Sequence, residues 1–133
     1  MLSEIASRAL SPAVNDPGTA IDILGRGVRL FAPWAQGPAA QEAEVSCQGV
    51  WLTPLALDDL FDDLFGPIAR DGAGRIDVQL RLVKSLQALA AQGTCFAAPA
   101  RRLAREALAL GEQALVLEVD RQRLREQVET LLG

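Results

Sequence analysis

Apolar residues return at three- and four-residue intervals through most of this chain, and that periodicity constrains the fold more than any other feature. Leu2, Ile5, Ala6, Ala9 and Leu10 form the first such stripe. Residues spaced in this way gather on one face of an α-helix and on no other regular structure. A second stripe runs through Ile21, Ile23, Leu24, Val28, Leu30 and Phe31, and a third through Leu57, Leu60, Phe61, Leu64, Phe65 and Ile68. Val78, Leu82, Val83, Leu86 and Leu89 make a fourth, and a long helical region follows over about residues 100–132, closed by Gly133.

The breaks between stripes carry the residues that stop and restart helices. Asp16-Pro17 and Thr53-Pro54 each place a capping side chain before a proline, whose ring is preorganised for the first helical position. The spacing therefore predicts helices over residues 2–10, 17–31, 53–68 and 75–92, the last with Gly93 as its C-cap. Gly27 lies within the second stripe and permits close approach of a neighbouring helix. Residues 32–42, "APWAQGPAAQE", read as a loop. One stretch departs from helical spacing: Gln48-Gly49 lies between short runs containing Val45 and Val50-Trp51, the pattern of a small hairpin. The expected architecture is a mostly α, single-domain bundle of five to six helices spanning residues 1–133, with one small β-hairpin near residues 44–52.

Length and composition agree with one core. A chain of 133 residues buries enough surface to fold alone. Half of it is apolar and 23% is charged, which excludes disorder. The longest apolar runs fall well short of a membrane span, and the opening "MLSEIASRAL" has neither the basic start nor the long apolar segment of a signal peptide. The expectation is a soluble segment, whose helix starting almost at the first residue suggests a piece of something longer. Net charge is −4, the wrong sign for nucleic acid.

Side-chain chemistry narrows the function classes. The chain has no histidine, so it lacks the usual general base and the commonest transition-metal ligand. Cys47 and Cys95 stand apart without a CxxC pair and read as ordinary thiols. Asp58, Asp59, Asp62 and Asp63 share one fan of the third helix, opposite its apolar stripe. Four carboxylates can attract a hard cation, but a straight helix face cannot wrap one, and a solvated acidic face is the simpler reading. "RDGAGR" at residues 70–75 lacks the Lys-Ser/Thr of a phosphate loop and reads as a turn. No cofactor or metal site is expected.

Two stretches remain as candidate functional sites. Leu103, Leu110, Leu117, Leu124 and Leu131 recur every seven residues, the spacing of a coiled-coil seam. That seam serves either self-association, giving a homodimer, or packing within the bundle. Arg121 interrupts it, and Asp120 can cap a fresh helix that divides the run. The second stretch is "RALSPAVNDPGTAID", residues 8–22. Asp16 and Thr19 stand in capping-box register, and Asn15 suits a turn or left-handed conformation. Arg8, Ser11, Asn15, Asp16 and Thr19 thus gather around one bend, where they either satisfy one another or hold a small ligand.

The same stretch, "IASRALSPAVNDPGTAID", resembles the signature of a group of predicted bacterial membrane proteins, the domain-of-unknown-function family 2254. The matching residues are Ile5, Ala6, Arg8, Ala9, Leu10, Ser11, Pro12, Asn15, Asp16, Pro17, Thr19 and Ala20, while Gly18 stands where that family often has an aromatic residue. The resemblance implies transmembrane helices preceding this segment, and a domain facing the cytoplasm at the bacterial inner membrane. It implies no activity and carries over no catalytic residue. The expected function is a non-catalytic assembly or regulatory module, whose partner is its own transmembrane region and which meets the membrane only through it. The alternative is a small-molecule or ion sensor binding at the Arg8–Thr19 bend. An enzyme using a carboxylate base is the third reading, without an evident nucleophile.

Overall fold

In the computed structural model, residues 1–36 and 56–133 are described. They form six α-helices: α1 (Leu2–Leu10), α2 (Pro17–Gln36), α3 (Leu57–Asp71), α4 (Ile76–Gln92), α5 (Ala97–Ala114) and α6 (Glu118–Leu132). A 3-10 turn, Thr94–Phe96, leads into α5. No strand occurs among the described residues, which corrects the expected helix-plus-hairpin description to an all-helical one. Among the described residues the helical stripes and the 3-10 turn supply the apolar surface of the core. Residues 44–52, where the hairpin was expected, lie outside the described residues, as do Cys47 and Thr53-Pro54.

Three helix limits also differ from expectation. The second helix does not stop at Phe31 but continues to Gln36 through Pro33. An interior proline removes a backbone donor and crowds the preceding turn, yet Phe31 and Trp34 on either side of it are held by packing. Phe31 is buried, and the Trp34 ring meets it edge-on with centroids 6.5 Å apart. The third helix begins at Leu57, with Ala56 in extended conformation before it. The C-terminal region is two helices, broken at residues 115–117 rather than at Asp120.

The core is helical stripe against helical stripe. Helix α2 packs on α4, α4 on α5 and α6, and α1 lies against both α2 and α3. All four phenylalanines of the chain form one cluster at the meeting of α2, α3 and the 3-10 turn. Phe31 and Phe61 have ring centroids 4.8 Å apart, Phe61 and Phe65 5.3 Å, and Phe61 and Phe96 5.8 Å. Tilted and edge-on pairs of this kind add to the burial of each ring. Gly27 faces α3, where an added methyl group would stand 2.7 Å from Leu64 Cδ2. A side chain there would make the Leu64 side chain shift.

Polar contacts tie the outer helices to this core. Gln87 of α4 donates to the Gln127 carbonyl, and Gln127 donates back to Gln87 Oε1, each at 2.9 Å. Gln79, fully buried on α4, donates to the Ala69 carbonyl of α3 at 2.9 Å.

Candidate functional site

The bend between α1 and α2 is built by backbone and side chains together. Helix α1 ends at Leu10, and Ser11 turns its hydroxyl back to donate to the Arg8 carbonyl at 2.8 Å. The N–H groups of Val14 and Asn15 both donate to the Ser11 carbonyl, closing a single turn over residues 11–15. The Asp16 N–H then donates to the Ala9 carbonyl at 2.7 Å. Carbonyls that a helix end leaves unmatched are satisfied in this way.

Asn15 is the one non-glycine residue with a positive φ among the described residues, at 49°. The left-handed region crowds a Cβ atom, and asparagine enters it more readily than other L residues. A contact from another element holds Asn15 there: Arg75, before the first turn of α4, donates from Nη1 to the Asn15 carboxamide oxygen. Arg75 also lies 3.6 Å from the Asp77 carboxylate. A residue 60 positions away in sequence therefore completes the bend.

Asp16 caps α2. Its Oδ1 accepts from the Thr19 N–H at 3.2 Å, and its Oδ2 accepts from the Thr19 hydroxyl at 2.6 Å. The Thr19 hydroxyl and N–H hold the Asp16 carboxyl below the usual carboxylate range, since both bonds favour the charged form. The stretch read as a cluster of polar groups is thus a joint in which Ser11, Asn15, Asp16 and Thr19 all have partners within the chain. Arg8 contributes its carbonyl, and its side chain is exposed.

Two other connections converge on this joint. The α3–α4 turn carries Arg75, and Gly74 in the same turn lies against the Ala114 carbonyl at the end of α5, 3.6 Å from where a Cβ would stand. The bend, the α3–α4 turn and the α5–α6 turn therefore meet at one end of the molecule. Close to them lies the buried Gln79, one helical turn beyond Arg75, whose Oε1 has no hydrogen-bond partner among the described residues. Neither Arg75 nor Gln79 was legible as part of the site, because neither belongs to a local motif. Only the packing of α4 brings them there.

The leucine seam is divided by the fold. Leu103, Leu124 and Leu131 are buried in the core, Leu110 is partly buried against it, and Leu117 is 58% exposed at the α5–α6 turn. The five do not form one exposed stripe. Arg121, which interrupts the seam in sequence, donates from Nη1 to the Leu115 carbonyl at 2.7 Å, satisfying the last turn of α5. Arg125 grips Glu112 of α5 through two contacts of 2.6 and 2.7 Å and Glu118 at 2.8 Å. Hydrogen bonds from Arg125 and Arg121 lower the Glu118 carboxyl below its ordinary value, and the paired carboxylates raise Arg125 further.

The acidic face of α3 is exposed, and among the described residues Asp62 accepts from Arg102 Nη2 of α5 at 2.7 Å. Among the described residues no group of three or more His, Cys, Asp or Glu side chains gathers closely enough to hold a metal ion. Cys95 is a free, half-buried thiol packed against the core. At the end of the molecule away from the bend, a concavity of about 380 Å³ lies between the start of α1, Leu30 to Trp34 of α2, and Leu60 to Leu64 of α3.

A family model described as Predicted membrane protein (DUF2254) matches residues 1–88, which cover α1 to α3 and most of α4. Neither the curated proteins nor the solved structures contain a match to this chain.

Proposed function

This chain belongs to the DUF2254 family of predicted membrane proteins, and from that premise we propose that it is a non-catalytic module that assembles or regulates the membrane-embedded part of such a protein. None of its described helices is long and apolar enough to cross a membrane. The module faces the cytoplasm at the bacterial inner membrane, and its own transmembrane region is its first partner.

One observation supports this reading above others. The polar side chains of the family-like stretch bond to one another and to Arg75, which makes the stretch a rigid joint between α1, α2 and α4. A joint of this kind transmits position between helices, because its hydrogen bonds hold the end of α1 and the starts of α2 and α4 together.

Native mass spectrometry of the purified chain, with thermal melts run beside it, tests the proposal. A ligand-free species whose melting point does not respond to added metabolites and metal ions is the expected result. A reproducible bound mass that raises the melting point and disappears on Asn15→Ala would establish the sensor reading instead.

A further inference from the structure

Two arginines from different helices converge on one point of the surface between α2 and α4. A Cβ added to Gly25 of α2 would stand 3.9 Å from Nη1 of Arg29 and 3.5 Å from Nη2 of Arg81 on α4. Both arginines are exposed, and no carboxylate among the described residues pairs with either. The acidic residues of these two helices are committed elsewhere, Asp22 to Arg26 at 2.7 Å and Asp77 to Arg75 at 3.6 Å. Lys84, exposed and three positions beyond Arg81, adds a cation to the same face of α4. Like charges drawn toward one point repel. On a chain of net charge −4, this local excess of cations attracts an anion.

The same arginine pair borders an apolar trough. Arg29 lines an open concavity of about 380 Å³ together with Leu2, Arg26 and Leu30. Leu2 and Leu30 also line the concavity between α1, α2 and α3, so the two adjoin. Trp34, Leu60 and Leu64 continue the apolar lining there, with Asp63 at the α3 side. An anionic group is therefore favoured at the arginine end and repelled at the other. Guanidinium groups match phosphate oxygens in geometry and charge, and an aliphatic trough matches an acyl chain. Phosphate alone would leave the trough uncovered.

We infer that Arg29 and Arg81 bind the phosphate of an anionic phospholipid, one acyl chain of which lies along Leu2 and Leu30. Lys84 adds to the attraction. The residues named all fall within the matched residues 1–88 of a family of predicted membrane proteins, where such lipids are at hand. The inference rests on the reading of the chain as a module working beside its membrane region, and it gives that module a lipid to respond to. The site is separate from the Arg8–Thr19 bend.

Calorimetric titration and thermal melts of the purified chain with dihexanoyl phosphatidylglycerol, kept below its micelle-forming concentration, test this directly. The lipid is expected to raise the melting point, and the double substitution Arg29→Gln, Arg81→Gln to weaken binding about tenfold or more. Without lipid that variant keeps the parent melting point, because both side chains are exposed and repel one another. Gly25→Glu sets a carboxylate between the guanidinium groups and is expected to abolish binding with the fold intact, since a Cβ there meets both at ordinary contact distance. Arg105→Gln, at an exposed arginine of α5, is expected to bind like the parent. A melting point unmoved by the lipid, or a double variant that binds undiminished, overturns the inference. An equal response to inorganic phosphate overturns it too, because the site would then take a free anion. So does an equal response to dihexanoyl phosphatidylcholine, because charge would then select nothing. Lipid binding is expected to survive Asn15→Ala. Its failure would leave the module reading standing, whereas a metabolite held at the bend would overturn that reading without touching this site.

Discussion

At the scale of single residues, the bend rests on two side chains with different duties. Asp16 caps α2 through Thr19, and its loss in Asp16→Ala is expected to lower the thermal midpoint by about 4 °C. The carboxyl titrates below its ordinary value of 3.8 in the folded chain. Its stabilisation is therefore complete above that value and is lost as pH falls through the lower, folded one. Parent and Asp16→Ala melts should differ at pH 7 and approach one another as the pH is taken down through the lowered, folded value. Asn15 has a conformational duty. Because φ is 49° there, Asn15→Ala keeps a Cβ in the left-handed region but removes the carboxamide that eases that conformation and accepts from Arg75, and is expected to cost about 1 kcal/mol in urea denaturation. Asn15→Gly keeps the backbone and loses only the Arg75 contact, so its cost should be smaller. Equal losses for the two variants would show that backbone conformation is not what asparagine supplies.

Among the elements, α6 is held differently from the others. Its buried face is short, contributing Leu124, Val128 and Leu131, and its first turns are secured by the Arg121, Arg125, Glu112 and Glu118 contacts. Hydrogen exchange should find α6 amides less protected than those of α4, whose stripe is buried along its whole length. Arg125→Gln is expected to speed exchange in α6 while leaving α2 and α4 at their parent rates. The Glu118 carboxyl sits below its ordinary 4.5 because Arg125 and Arg121 donate to it. That contribution holds above 4.5 and fades as pH drops through the lowered value, so acidification should loosen α6 before the rest of the bundle.

For the whole molecule, the phenylalanine cluster is the common centre, since Phe31, Phe61, Phe65 and Phe96 come from three segments of the chain. Phe61 contacts each of the other three rings and is fully buried. Phe61→Ala is expected to destabilise the fold by about 3–5 kcal/mol, a large share of the stability of a domain this size. Chemical denaturation with a single cooperative transition in the parent is the measurement. A loss under 1 kcal/mol would mean that α2 and α3 close the gap without it. Helices α5 and α6, which lie beyond the matched residues 1–88, cover α3 and α4, and α5 joins the acidic face of α3 through Arg102 and Asp62.

What could be read without coordinates was whatever depends on neighbours a few positions apart. The stripes, the Asp16–Thr19 cap and the turn at Asn15 are local, because side-chain spacing and backbone preference act over three or four residues. The stretch from Ile5 to Ala20 also named the family, since its matches fall within one short run of sequence. Three features were decided by the tertiary structure alone. Helix α2 runs on through Pro33, where the packing of buried Phe31 and partly buried Trp34 offsets the loss of one backbone bond. The leucine seam divides at residues 115–117, where Leu103 and Leu124 take core positions and Leu117 faces outward. Arg75 completes a bend 60 residues earlier in the chain, a pairing that no local spacing encodes, because it exists only once α4 has packed against α2.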